Sequence, residues 1–349
     1  MIRAFGRTGP GRGVLLPALA ALLALAGAAT AGTDQTPSIL RPASPPAQSI
    51  HALSLLVFGI TAAIFLTVLV VLVYTIVRFR RREGDPVREP PQVYGSVRME
   101  LAWTIVPLVI VLVLFLSATR TMMAIADYPA PPGALRVTVV GHQWWWEYRY
   151  PELGVVTAGE LHLPVSEPQS MRPVFLSLES ADVIHSFWVP RLAGKTDVIP
   201  GRVNHMWMAP LETGLFLGQC AEYCGLQHAG MLIRVVVETP DEFERWVEAQ
   251  RQPAVDAPSA RRGRELFASL ACVSCHRVRG TEARGDVGPD LTHLMSRQTL
   301  GSGVVPNTPD NLSRWVVDPA TIKPGVKMPA MGLDRDQLDE VVRYLETLR

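Results

Sequence analysis

Two long apolar runs set close together limit what this chain can fold into more than any other feature. Ala52 to Val77 carries no charged residue, and Leu101 to about Ser117 repeats the pattern with Pro107 inside it. Each run can cross the roughly 30 Å hydrocarbon layer as a helix. Neighbouring helices satisfy the backbone that a proline frees in lipid. A buried soluble hairpin is the alternative, but two such runs side by side exceed what a soluble core requires. The loop between them carries Arg78, Arg80, Arg81, Arg82, Arg88 and Arg98, and arginine enrichment beside membrane ends marks the cytoplasmic side. A hairpin over 51–122 therefore places both mature termini, and everything after residue 122, outside the cytoplasm.

Residues 1–31 read as an export signal, which agrees with that topology. Arg3, Arg7 and Arg12 precede an apolar run from Val14 to about Ala28, and Ala29-Thr30-Ala31 offers small residues for cleavage. Left uncleaved, the same run is a first anchor. The segment 32–50, Pro/Ser-rich over 37–48, predicts an exposed extracytoplasmic spacer. Charged residues make up 19% of the 349-residue chain, and the net charge of +1 leaves no electrostatic footprint for nucleic acid. Glu100 sits at the mouth of the second span, where a carboxylate serves either an ion path or the headgroup layer.

From Leu135 the pattern changes. Short β-rich runs at 137–140, 147–150, 173–180 and 231–239, separated by Pro and Gly, predict a small sandwich or barrel over 123–250. DEFERWVEAQ then predicts a short helix capped by Asp241 or Thr239. Residues 251–259, RQPAVDAPS, read as a polar linker to a second unit at 260–349. There, Arg261–Leu270 predicts one helix with Phe267 and Leu270 inward. Asp334–Leu348 predicts another with Leu338, Val341, Val342, Leu345 and Leu348 on its apolar face. Three or four helices around a cofactor is the simplest construction.

The stretch Leu217–Met231 packs Cys220, Cys224, His228 and Met231 together at spacings of four, four and three. Two thiolates, an imidazole and a thioether form a soft donor set suited to copper. The carbonyl of Glu222 offers a hard oxygen between the thiols. A second imidazole is needed, and His185 in ADVIHSFWVP is the candidate from another edge of the sandwich. Two bridging thiolates then hold two coppers that share one electron. A Cys220–Cys224 disulfide is the alternative, and it leaves His228 and Met231 unexplained. Asp182 lies near the proposed ligands and fits either a surface or turn role or a specific one, and His142, His162 and His205 read as hydrogen-bonding or surface histidines.

Cys272-Val273-Ser274-Cys275-His276 fits Cys-x-x-Cys-His, the attachment pattern of a covalent c-type haem. Two thiols two residues apart add to the two vinyl groups, and His276 supplies an axial nitrogen. A soft second ligand raises the potential, and Met328 in IKPGVKMPAMG is the first candidate, ahead of Met331, with Met295 and His293 behind. Gly288–Leu291 predicts a loop over a haem edge, or a plain turn. In HQWWWEYRY, Trp145 faces opposite to Trp144 and Trp146 along a strand, so indole surface either meets a partner or packs in the sandwich.

Taken together, the copper motif, the HQW stretch, DVIHSFWVP and the paired spans resemble subunit II of haem–copper cytochrome c oxidase, in the caa3-type form with a fused C-terminal cytochrome c domain. The resemblance covers nearly everything after the signal. It implies a cupredoxin-like β sandwich carrying the dicopper centre CuA, beside two transmembrane helices and an all-α class I cytochrome c domain. By motif, the copper ligands would be His185, Cys220, the Glu222 carbonyl, Cys224, His228 and Met231. The resemblance further implies Mg2+ at the Glu222 carboxylate, shared with subunit I. It makes Trp144 the point where an electron enters, and Glu100 a residue near a proton-uptake path. HQWWW stands where HQWYW is commoner, which puts no ligand in doubt. Retention of the copper ligands separates the chain from quinol-oxidase relatives.

The implied function is a relay. Reduced cytochrome c, or a membrane cytochrome complex, reduces the haem; CuA follows; subunit I then reduces oxygen to water and translocates protons. Subunit I and subunit III are the implied partners, in the bacterial plasma membrane with both redox domains on the periplasmic side. Two other readings compete: the electron-accepting subunit of a CuA-containing nitric oxide reductase, and a membrane-anchored copper carrier or assembly protein. Nitrous oxide reductase would need a large further domain.

Overall fold

A computed structural model of the chain describes residues 37–349 except 82–83, 85–88, 90–91, 93, 127–129, 131–132 and 168–170. The expected export signal, and Arg82 and Arg88 of the loop, lie outside the described residues. The apolar runs form helices α1 (Pro45–Arg78) and α2 (Val97–Ala126), the second continuous through Pro107. Their Leu, Val, Ile and Phe side chains point outward along most of both helices. Apolar surface in that quantity is incompatible with water and fits lipid.

The stretch 37–48 is exposed at 37 and 39–41, as its composition predicts, but not over 43–47. Ala43, Ser44 and Ala47 are buried, and α1 begins within it. Ala43 donates to the Arg191 carbonyl at 2.7 Å and accepts from Leu211 at 2.9 Å. Ser44 Oγ accepts from the buried Ala209 N–H at 3.0 Å, and Pro45 and Pro46 follow in the first helical turn, where a missing N–H costs nothing. The Pro/Ser composition thus builds a docked helix start. At the other end of the hairpin, Trp207 Nε1 donates to the Ile125 carbonyl of α2 at 2.7 Å.

Ten strands follow: β1 (Arg136–His142), β2 (Trp145–Tyr150), β3 (Val155–Ala158), β4 (Glu160–Pro164), β5 (Val174–Ser180), β6 (His185–Trp188), β7 (Thr196–Val198), β8 (Asn204–Met208), β9 (Gly214–Cys220) and β10 (Leu232–Glu238). They form two sheets, ordered β3-β2-β1-β5-β8 and β4-β10-β9-β6-β7. The β1–β5 and β4–β10 pairs are parallel and the others antiparallel. Alternation along β5 and β10 sends Val174, Leu176 and Leu178, and Ile233, Val235 and Val237, into one core with Trp146, Tyr148, Phe187 and Phe216. This is a cupredoxin-like sandwich. Helix α3 (Pro240–Arg251) closes it, started by Thr239 in a reciprocal capping box with Glu242.

The C-terminal domain holds α4 (Arg261–Ser269), a single helical turn at Cys272–Cys275, α5 (Pro309–Val317) and α6 (Arg335–Leu345), with a two-residue ladder between 299–300 and 305–306. Phe267, Val341, Leu345 and Leu348 are buried together, and Leu338 packs against them partly buried. Helices α4 and α6 cross closely because residue 263 is glycine: a Cβ there would lie 2.0 Å from the Glu340 carbonyl oxygen.

The segment 251–259 is not a free linker. Arg251 still belongs to α3, and the Ala254 N–H donates to the Arg279 carbonyl at 2.9 Å. The Arg279 guanidinium gathers the carbonyls of Gln250, Arg251 and Gln252. A stretch that reads as Pro/Ala-rich spacer is clipped to the C-terminal domain by one buried-side arginine.

Candidate metal and haem centres

Three segments bring the proposed copper donors together. The start of β6 delivers His185, the end of β9 delivers Cys220, and the loop from there to β10 carries Cys224, His228 and Met231. Cys220 Sγ lies 3.8 Å from Cys224 Sγ, 4.0 Å from His185 Nδ1 and 3.3 Å from the Glu222 carbonyl. Cys224 Sγ lies 3.8 Å from His228 Nδ1 and 3.9 Å from Met231 Sδ. Both cysteines are free thiols, so the disulfide alternative is not what the structure contains. His185, Cys220, Cys224 and Met231 are buried, while His228 is half-buried. This donor chemistry fits a thiolate-bridged copper pair. Gly218 lets β6 and β9 approach, since a Cβ there would meet the Trp188 carbonyl at 2.2 Å.

Asp182, for which the sequence leaves a turn role and a specific role both open, orients the cluster. Its Oδ1 accepts from His185 Nε2 at 2.9 Å, turning Nδ1 of that ring toward Cys220. It also accepts from the backbone N–H groups of Val183 and Gln143, both at 2.7 Å, and from Lys327 Nζ at 3.2 Å. Burial alone would raise its pKa; the hydrogen bonds from His185, Val183, Gln143 and Lys327 outweigh that and hold the carboxyl well below the usual range. Burial likewise opposes ionisation of Cys220, yet its bonds to His185 and the Glu222 backbone lower its pKa. Burial and the neighbouring Cys220 charge raise that of Cys224.

Trp144 is buried, and its Nε1 donates to the Cys224 carbonyl at 2.9 Å, alongside Gln143 Nε2 at 2.9 Å. Trp146 fills the core and touches His185 edge-on, whereas Trp145 is half-buried and stacks on His142 at 4.1 Å. Glu222 is exposed, and its carbonyl lies 3.3 Å from Cys220 Sγ. His142, His162 and His205 stand apart: His162 pairs with Glu238 at 3.0 Å and stacks on Trp246. Glu100 lies exposed in the first turn of α2.

In the C-terminal domain the helical turn presents Cys272 and Cys275, both half-buried, and ends at His276. His276 Nδ1 donates to the Pro289 carbonyl at 2.8 Å, which leaves Nε2 as the free ligand nitrogen. The Gly288–Leu291 segment thus backs the histidine. A Cβ at Gly288 would sit 2.7 Å from the ring, and one at Gly285 would meet the Cys275 backbone at 2.5 Å. Two thiols and one oriented imidazole on such a turn fit a c-type haem. Met328 and Met331 are both half-buried on the segment after Lys323. Gln143 and the Pro289 carbonyl carry no signal in the sequence, because Gln143 acts on Asp182 and Cys224 from 39 and 81 positions away and Pro289 acts on His276 from 13.

Comparison with known families gives three matches in chain order. Residues 37–119 match "Cytochrome C oxidase subunit II, transmembrane domain", 135–239 match "Cytochrome C oxidase subunit II, periplasmic domain", and 260–349 match "Cytochrome c". Cytochrome c oxidase subunit 2 of Alkalihalophilus pseudofirmus is 32% identical over 324 residues, covering 90% of this chain and 92% of that protein. The subunit 2 of Bacillus sp. strain PS3 is 33% identical over 291 residues, covering 78% and 80%. Among solved structures, the periplasmic domain of the cytochrome oxidase subunit II of Bradyrhizobium japonicum is 33% identical, with a TM-score of 0.33, covering 35% of this chain and 97% of that one.

Proposed function

Because the chain belongs to the cytochrome c oxidase subunit II family, with a cytochrome c domain fused at its C-terminus, we propose that it is the electron-accepting relay of its oxidase. It is a subunit of a larger complex, and the two spans among its described residues are too few to house oxygen reduction. When bound, the haem and the copper pair supply one-electron redox chemistry: electrons arrive from reduced cytochrome c or a membrane cytochrome complex and leave toward subunit I, where oxygen reduction is coupled to proton translocation.

This chain's own residues do the holding and orienting. Cys220, Cys224, His185, His228, Met231 and the Glu222 carbonyl would hold the copper pair. Asp182 fixes His185 in the tautomer that presents Nδ1. Trp144, bonded to the carbonyl of Cys224, is the point where an electron enters the copper domain. Cys272 and Cys275 would hold the haem covalently, and His276 and Met328 would supply ligands to its iron. The Glu222 carboxylate, exposed beside the copper loop, is available to Mg2+ shared with subunit I. Glu100 stands near a proton-uptake path. Subunit I and subunit III are the membrane partners, in a bacterial plasma membrane with both redox domains on the periplasmic side after removal of residues 1–31.

One observation carries the reading: two free thiols, two imidazoles, a thioether and a carbonyl converge with gaps of 3.3–4.0 Å. The test is copper content, covalent haem content and electron paramagnetic resonance of the oxidised full chain, produced without subunit I. Two coppers per covalent haem, with one unpaired electron shared across both, is the expected result. A single copper with a localised electron would make one cysteine structural, and haem without copper would remove the dicopper claim.

A further inference from the structure

One side chain of the C-terminal domain is more deeply buried than a lysine normally tolerates. Lys323 is 2% exposed. Its Nζ donates to the carbonyls of Trp144 at 2.7 Å, Gly230 at 2.9 Å and Gly301 at 2.6 Å. Three acceptors exhaust the three N–H bonds that only the ammonium form offers. Two of those carbonyls belong to the sandwich, one at Trp144 and one between His228 and Met231; the third belongs to Lys323's own domain. A buried cation is stable only when its donors are satisfied, so this site exists only while the two domains are in contact.

The surroundings repeat the pattern. Ser302 Oγ donates to the Leu232 carbonyl at 2.9 Å, and the Leu232 N–H donates back to the Ser302 carbonyl at 3.2 Å. Gln227 Nε2 donates to the Pro324 carbonyl at 2.8 Å. Glycines allow the approach: a Cβ at Gly325 would lie 2.6 Å from Leu226 Cδ2, and one at Gly303 would lie 3.0 Å from Leu232 Cβ. Trp144, whose carbonyl receives Lys323, is 8% exposed.

We propose that Lys323 is a positioning residue that rivets the cytochrome c domain onto the copper domain over Trp144, so that a soluble donor delivers its electron to the haem and is shut out from the copper domain. The assignment rests on the relay reading above for its consequence, and on the hydrogen bonds alone for the rivet.

Hydrogen exchange of the full-length chain in detergent tests the rivet without any turnover. In Lys323→Met, amides of 229–236, Leu232 above all, should exchange about tenfold faster or more, because three buried carbonyls lose a charged donor. Amides of the β1–β5 ladder and of α4 and α6 should stay at wild-type rates, and Lys323→Arg, which keeps charge and donors, should restore most of the protection. If Lys323→Met does not fold, Ser302→Ala removes one further bond of the same contact and should show a smaller rise in the same segment. Unchanged exchange in whichever of these folds overturns the proposal. Stopped-flow reduction of the assembled oxidase by a soluble reduced cytochrome then tests the consequence. Copper reduction should trail haem reduction in the wild type, and a direct phase should appear in Lys323→Met. No direct phase in a variant whose 229–236 amides are deprotected overturns the shielding. A wild type that passes no electron from haem to copper refutes the relay reading instead, and leaves the exchange result standing.

Discussion

Asp182 shows how a single carboxylate can govern a metal centre while looking ordinary in the sequence. The ligand loop is legible because its donors lie at short spacings within one segment, and His185 stands out as a histidine at the head of an apolar run. Asp182 has no such signature. Its role depends on the β1–β2 turn supplying the Gln143 N–H, on the non-helical backbone before β6, and on Lys327 from the other domain. The bond to His185 holds that ring's tautomer and angle, and groups of this kind set metal affinity by roughly 10–100-fold. Asp182→Asn keeps the shape but presents an amide to Nε2. We expect its copper retention to fall by about that factor, read by competition with a chromophoric copper chelator, while the covalent haem spectrum is unchanged. Retention equal to wild type would reduce Asp182 to a turn residue.

At the scale of elements, what sequence patterning resolves is what repeats locally. The β1, β2, β5 and β10 runs are rich in Val, Leu and aromatic residues, and all four match expectation to within a few residues. Strands β6 (HSFW), β7 (TDV) and β8 (NHMWM) carry polar residues or span too few positions for alternation to register. They become strands because neighbours in the sheet accept their backbone groups, which is a tertiary effect. The same holds for the start of α1. Prolines and serines at 42–46 resemble a spacer by composition, yet the buried Ala209 N–H donates to Ser44 Oγ. Ser44→Ala leaves that donor unpaired, at a cost of ~1–3 kcal/mol. Denaturant unfolding of the full chain in detergent should show a lower midpoint for the sandwich with an unchanged slope. An unchanged midpoint would mean that water replaces the hydroxyl and that the docking of 41–47 is loose.

At the scale of the whole molecule, the tether and the interface act together. A covalent link converts a bimolecular encounter into an internal one, with an effective concentration reaching the millimolar range for short flexible connections. Here the connection is clipped down by Arg279, so its contribution is placement more than reach. The contacts that hold the haem domain over the copper loop are hydrogen bonds, several of them from the charged groups of Lys323 and Arg234, and among the described residues they include an inter-domain ion pair between Lys327 and Asp182 at 3.2 Å. Polar contacts of this kind lose much of their worth once the partners can separate into water. Cleavage within 254–257 of the assembled oxidase therefore leaves a domain that stays bound when concentrated and departs when diluted. Oxygen uptake with an external donor should fall after cleavage, and fall further as the preparation is diluted. Added salt should matter more for the cut enzyme than for the intact one, because screening acts on Lys327 and Asp182 once they are exposed. Equal rates and equal salt dependence before and after the cut would show that the interface alone, without the tether, fixes the haem domain in place.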